Sequence, residues 1–304
     1  MFFPSGPSLR SSRLLGAALL GATLLTAVVA QQAHGQLLEY TFNETGTVAN
    51  NSGTATGANL TFNNSSAAAA DLHSAAGGGV SGAAGDRSFD NTASTQMGGS
   101  GTTPVGGDAF NTAATASAFN GLTALTLTGW YNASSAPFAT GARLMISSSQ
   151  ALTLNFNTNT LSLLVTTASG SGTVNIPTTA TAAYAAANTA NSWVYYAATY
   201  DNTTLRLYIG TSTTAAVSVA SVALTGAVNA GNGLYLGNVP GLQRPFDGLI
   251  DDVRLYGSAL TLTDINNIRS ADLVPEPASW VWLGTAALGG GVMLRRHRSR
   301  AKLA

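Results

Sequence analysis

Apolar residues recur at every second position in short runs from Leu37 to Tyr256, and runs of that length and spacing form strands, not helices. In Leu37-Leu38-Glu39-Tyr40-Thr41-Phe42, the side chains of Leu38, Tyr40 and Phe42 fall on one face, as in a half-buried strand. Comparable runs cover residues 125–131, 143–146, 152–156, 161–165, 193–200, 205–209, 216–222, 234–236 and 249–256. Turn-forming segments separate them, among them Asn157-Thr158-Asn159, Ser169-Gly170-Ser171-Gly172, Asp201-Asn202 and Gly231-Asn232-Gly233. Many short strands with few helices predict an all-β chain of two packed antiparallel sheets. One helix is expected late: Thr261 and Asp264 form a capping box in which Asp replaces Glu, and Ile265 and Ile268 supply its inward side. Its expected place is across one end of the sandwich, as a lid. Residues 43–121 are the least determined, because Phe62, Phe89, Phe110 and Phe119 are separated by Ala, Gly, Ser, Thr and Asn stretches. Strands joined by long loops and partly mobile decoration are both open there.

Composition removes several chemistries. The chain has no cysteine, which excludes disulfides, thiol nucleophiles and thiolate-bound zinc or iron–sulfur sites. Its histidines are His34, His73 and His297 alone, too few for a histidine metal cluster. His73 stands in Asp71-Leu72-His73-Ser74 and reads as a surface-loop residue, since a general base needs an orienting partner in reach.

The two ends read as addresses. Arg10 and Arg13 precede an apolar run over residues 14–30 and then small residues, the order of a secretory signal peptide. Cleavage after Ala30 or after Gly35 fits, so residues 1–35 are assigned to the signal; an uncleaved membrane anchor is the alternative. At the other end, residues 278–294 are apolar or small throughout and would span ~25 Å as a helix, against a ~30 Å hydrocarbon core. Trp280 and Trp282 suit the interface, and Arg295, Arg296, Arg298 and Arg300 should stay cytoplasmic. Val274-Pro275-Glu276-Pro277 stands just before this predicted transmembrane helix. Between the ends, residues 36–272 hold six arginines, no lysine and twelve acids, a net charge of −6. An acidic body argues against nucleic acid as a partner.

Pro-Glu-Pro, a short hydrophobic helix and an Arg-rich tail, in that order over residues 273–304, resemble the PEP-CTERM sorting signal. The resemblance implies export through the secretion machinery and an inner-membrane-anchored precursor recognised by an exosortase. The implied destination is the cell surface or extracellular matrix of a Gram-negative-type bacterium, with transient membrane contact. Trp193-Val194-Tyr195-Tyr196-Ala197-Ala198-Thr199-Tyr200-Asp201, leading into Leu205-Arg206-Leu207-Tyr208-Ile209-Gly210, is similar to the laminin-G-like hairpin. Phe246-Asp247-Gly248-Leu249-Ile250-Asp251-Asp252-Val253-Arg254-Leu255-Tyr256, followed by Ala259-Leu260-Thr261, is similar to that family's closing strand and helix. Together they resemble the LamG, concanavalin A-like jelly roll, over residues 36–272 and most clearly from Leu122 onward.

In the hairpin, Val194, Tyr196, Ala198 and Tyr200 share one face and Trp193, Tyr195, Ala197 and Thr199 the other, which reads as packing. Asp251 has the parity of Leu249, Val253 and Leu255 and is therefore expected inward, hydrogen-bonded to backbone or side chains. Calcium is the functional alternative for Asp251, with Asp247 and Asp201 as further speculative ligands. Hydrolases of this fold place paired carboxylates on one strand as Glu-x-Asp-x-x-Glu, a string this chain lacks; its body has only Glu39 and Glu44. No catalytic residue is assigned. A non-catalytic adhesion or carbohydrate-binding protein, or an organiser of extracellular polysaccharide and biofilm, is the expectation. A purely structural envelope protein is the alternative, and a polysaccharide-degrading enzyme ranks below both. Aromatic contacts to sugar would come from Trp130, Tyr131 or Tyr235, with the loop over residues 238–244.

Overall fold

The computed structural model describes residues 35–274, apart from 67–69, 95–96, 100–102, 113, 136–140, 148–149 and 158–159. The signal segment, Pro275, Glu276, Pro277, the 278–294 helix with Trp280 and Trp282, and Arg295, Arg296, Arg298 and Arg300 lie outside the described residues. Among the described residues no helix is long and apolar enough to cross a membrane.

The strands are, in chain order, β1 (Gln36–Tyr40), β2 (Val48–Ala49), β3 (Leu60–Asn64), β4 (Phe89–Asp90), β5 (Gly107–Asn111), β6 (Leu125–Ala133), β7 (Arg143–Ser147) and β8 (Leu152–Asn157). They continue as β9 (Thr160–Thr167), β10 (Gly170–Asn175), β11 (Trp193–Tyr200), β12 (Thr204–Thr211), β13 (Val217–Ala223), β14 (Leu234–Leu236) and β15 (Gly248–Tyr256). Three α-helices accompany them: α1 (Ala114–Phe119), α2 (Thr181–Ala187) and α3 (Leu262–Asp272). A seven-stranded sheet runs β1-β15-β6-β11-β12-β13, with β4 also on β15, and an eight-stranded sheet runs β10-β9-β8-β7-β14-β5-β3-β2. The result is the all-β, two-sheet antiparallel sandwich that the alternation predicts.

The inner faces interdigitate along that alternation. Leu38, Tyr40, Leu127, Tyr196, Leu207 and Leu255 of the first sheet meet Phe62, Leu154, Phe156, Leu163 and Leu236 of the second, all at 2% exposure or less except Leu255 at 4%. Tyr131 packs edge-on against both Phe156 and Phe246, at centroid separations of 5.4 and 6.0 Å. The cavity left between Leu38, Phe119, Met145, Leu152 and Val253 is about 10 Å³ and apolar. A space that small, without polar lining, stays dry, and it holds no ligand between the sheets among the described residues.

Residues 43–121 contribute β2 to β5 and α1, with Phe62, Phe89 and Phe119 buried in the shared core. Ser171-Gly172, read as part of a turn, instead belong to β10, whose Val174 reaches the core. Helices α1 and α2 carry only alanines, threonines, one serine and single aromatics, so no apolar period announced them.

Helix α3 begins as expected: Thr261 accepts from the Asp264 amide, and Asp264 accepts from the Thr261 amide. Ile265 and Ile268 are buried, but the helix lies on the outer face of the seven-stranded sheet, not across one end. Trp130, Tyr195, Tyr208 and Tyr256 form the apolar bed beneath it. Specific hydrogen bonds fix it there: Trp130 Nε1–H donates to Asp272 at 2.8 Å, and Asn266 bonds both ways with Ala216 at 2.7 and 3.1 Å.

One irregularity changes a side-chain assignment. Between Asp251, opposite Trp130, and Arg254, opposite Thr128, β15 holds one residue more than β6. The extra residue makes a β-bulge at Asp252, which adopts φ +49°. Parity therefore flips: Ile250, Val253 and Leu255 face inward, while Asp251 is buried on the outer face with Trp130. The inward placement of Asp251 beside Val253 is corrected accordingly.

Candidate functional site

Two of the acids singled out by sequence, Asp251 and Asp201, are committed to structure. Asp251 Oδ2 accepts the Val80 amide at 2.9 Å and Oδ1 accepts the Asp252 amide at 2.8 Å. Burial, and then the charges of Asp252 and Asp86, push its carboxyl well above the usual carboxylate range. Asp201 closes the β11–β12 turn, accepting from Thr203 and Thr204 and pairing with Arg206 at 2.7 Å. The Thr203 hydroxyl, followed by the Arg206 side chain, holds its carboxyl far below the ordinary value against a smaller effect of burial. Asp247 is raised by burial, with Asp90 adding to the rise. Asp201 and Asp247 lie at opposite ends of β6, which at eight residue steps puts them about 25 Å apart. The three calcium candidates do not converge, and among the described residues no group of three His, Asp or Glu is placed to hold a metal.

Glu39 is no free carboxylate either. Arg254 donates from Nε to Glu39 at 2.9 Å, from Nη2 to Asp252 at 2.9 Å and from Nη1 to Asp272 at 2.8 Å. This cluster locks β1, β15 and the end of α3 together. His73 is corrected: its side chain is fully buried, edge-on to Phe62, with Nδ1 2.7 Å from Asp71.

Two of the three aromatics proposed for sugar contact are also corrected. Trp130 and Tyr131 are wholly buried, one under α3 and the other between the sheets, because β6 is central and covered on both sides. In the loop over residues 238–244, Asn238 is buried and spent on the backbone, donating to Val105 and accepting from Val239 and Arg244. Tyr235 alone remains available.

Tyr235 sits on the outer face of the eight-stranded sheet, which no α-helix among the described residues covers as α3 covers the first. Cross-strand register aligns Thr61, Phe110, Tyr235, Ile146, Thr153, Leu164 and Thr173 in one row over seven strands. Their sequence neighbours Phe62, Ala109, Leu234, Met145, Leu154, Leu163 and Val174 point the other way, into the core. Phe110 and Tyr235 are half-buried and stack with centroids 5.6 Å apart and planes 8° from parallel. A second row carries Asn63 beside Asp108, and Arg143, Asn155, Ser162 and Asn175. Asp108 is buried; it takes a hydrogen bond from Asn63, and its Oδ1 has no partner. Burial lifts its carboxyl to about 7, and its charge, after burial, helps raise the Tyr235 hydroxyl. Asp108 is the one acidic residue in all eight strands of this sheet.

A flat aromatic pair bordered by amides, hydroxyls and guanidinium groups can bind the face of a sugar ring and hydrogen-bond its hydroxyls. Sequence reasoning missed Phe110 because it stands in the Gly-rich stretch and its partner is 125 residues away; only cross-strand register unites them.

A family model described as Laminin_G_3, concanavalin A-like lectin/glucanases superfamily, matches residues 105–266. None of the curated proteins matches the sequence. Among solved structures, the binding domain of Paraclostridial Mosquitocidal Protein 1 is similar at a TM-score of 0.52 and 10% identity, over 79% of this chain and 53% of that one. The botulinum neurotoxin serotype D binding domain is similar at 0.51 and 11%, over 81% and 52%. Domain 4 of AbnA, a GH43 extracellular arabinanase from Geobacillus stearothermophilus, in complex with arabinotriose, gives 0.48 and 16%, over 77% and 98%. At such identities the likeness is one of fold, and the chain spans about half the length of the toxin binding domains.

Proposed function

Because the chain belongs to the concanavalin A-like lectin/glucanase superfamily, we propose that it is a non-catalytic carbohydrate-binding protein whose ligand lies on the outer face of the eight-stranded sheet. The observation that carries this reading is the stacked Phe110–Tyr235 pair on a sheet face that offers a single carboxyl. Tyr235 and Phe110 form the platform, Asn63 and Asn155 flank it, and Asp108 lies in the neighbouring row of the same face.

The second half of the proposal is export. A signal-like start, a Pro-Glu-Pro tail and an acidic, cysteine-free body support a precursor that is processed by an exosortase and released to the cell surface or matrix. Adhesion or the ordering of extracellular polysaccharide in a biofilm would follow from sugar binding at that location.

Affinity electrophoresis through immobilised polysaccharides tests the binding half. Retardation by at least one polymer is expected, with Tyr235→Ala and Phe110→Ala each weakening it about fivefold or more, since an aromatic contact contributes about 1 kcal/mol beyond its area. Retention by no polymer would leave the purely structural reading, and release of shortened sugars would refute the non-catalytic one. For the export half, mass spectrometry of the protein from its native envelope is expected to find both ends removed. An intact 304-residue chain there would refute processing.

A further inference from the structure

Of the six arginines between residues 36 and 272, four have evident work. Arg254 serves three carboxylates, Arg206 pairs with Asp201, Arg269 donates to the Thr211 carbonyl, and Arg87 donates to the Ser74 carbonyl. Arg143 and Arg244 differ. Among the described residues neither pairs with an acid, although the body carries twice as many acids as bases.

These two are brought together. The Arg143 amide donates to the Arg244 carbonyl at 3.2 Å, which sets the residues side by side. Burial, and then the positive charge of Arg244, pull the Arg143 guanidinium down to about 10, and its Nε is buried with no partner. Two adjacent guanidinium groups with no counter-charge repel each other, an arrangement that needs a reason. Room is kept for them: Gly141 has φ +98°, and a Cβ there would lie 2.7 Å from Arg244 Nη1. Arg143 stands opposite Asn155 on the outer face of the eight-stranded sheet. Three residues further along the same strand is Ile146, the direct neighbour of Tyr235. The charged pair and the aromatic platform thus belong to one surface.

We propose that the polysaccharide taken by this face is anionic, with its carboxylate or sulfate groups seated between the guanidinium groups of Arg143 and Arg244. The inference rests on the carbohydrate-binding reading and specifies its ligand class. Guanidinium groups match both anions through paired N–H donors, and an arriving anion also removes the repulsion between the two arginines. Selectivity is local, because a net charge of −6 over residues 36–272 repels polyanions everywhere else.

The test is titration of the full chain with polygalacturonate, dextran sulfate and uncharged dextran, at low salt and at about 0.5 M NaCl, where charges more than a few ångströms apart are screened. At least one acidic polymer should bind about tenfold tighter than dextran at low salt, with the advantage shrinking at high salt; which of the two is preferred separates carboxylate from sulfate. Arg143→Gln and Arg244→Gln should each lose about tenfold toward the acidic polymer, a larger loss than either shows toward dextran. Gly141→Ala, which crowds the Arg244 guanidinium, should also weaken binding of the acidic polymer, together with a lowered melting temperature from the strain of a side chain at φ +98°. Equal binding of acidic and neutral polymers, or an Arg143→Gln/Arg244→Gln protein that still prefers the acidic one, would overturn the inference while sugar binding stood. Binding of no polymer by the wild-type chain would overturn both.

Discussion

Replacing Arg254 by methionine is expected to destabilise the fold by about 3–5 kcal/mol, the usual cost of removing one partner from a buried ion cluster. The guanidinium is 8% exposed and holds Glu39, Asp252 and Asp272 at 2.8–2.9 Å. Methionine fills much of the volume but leaves three carboxylates facing one another. In the wild type, burial raises Glu39, yet the Arg254 charge with hydrogen bonds from Ser52 and Arg254 outweighs it and leaves the carboxyl below its ordinary value. Asp272, more deeply buried, is raised by burial despite Arg254. Without the arginine, Glu39 and Asp272 should titrate above their unfolded values. Groups raised in this way contribute stability that is present below about pH 4 and lost as pH rises through the folded values. Urea unfolding should therefore show a deficit that is large at pH 7 and shrinks toward pH 4. A deficit below about 1 kcal/mol at pH 7 would mean that the cluster does not hold the structure together.

Asp108→Asn is expected to act in the opposite direction. A carboxyl moved from 3.8 to about 7 by burial corresponds to about 4 kcal/mol of destabilisation once it is ionised. The contribution of Asp108 to wild-type stability should be full below about pH 4 and be lost as pH rises through about 7. Asparagine keeps an oxygen for Asn63 and does not ionise. The variant should match the wild type near pH 4 and exceed it by up to about 4 kcal/mol at pH 8. A stability difference independent of pH would show that Asp108 is neither desolvated nor charged as described.

Much of the fold was legible as period-two alternation. Val194, Tyr196, Ala198 and Tyr200 point into the core, and Tyr195 and Ala197 point out under α3, as their spacing implies. Alternation does not say whether an outward face is wet. Trp130 was thought available for sugar because nothing in its strand indicates that a helix more than a hundred residues later would cover it. It also cannot register a single inserted residue: Asp251 was assigned to the wrong face because Asp252 bulges. The site was the least legible part. Phe110 and Tyr235 meet through the β5–β14 pairing, and Arg143 meets Arg244 through one backbone hydrogen bond, neither of which has a local signature.

The first strand and the last helix of the described chain belong to the same layer: β1 pairs along β15, and α3 ends at Asp272, fastened to Trp130 and Arg254 on the sheet's far side. The end of α3 and the Phe110–Tyr235 surface therefore lie on opposite outer faces of the sandwich.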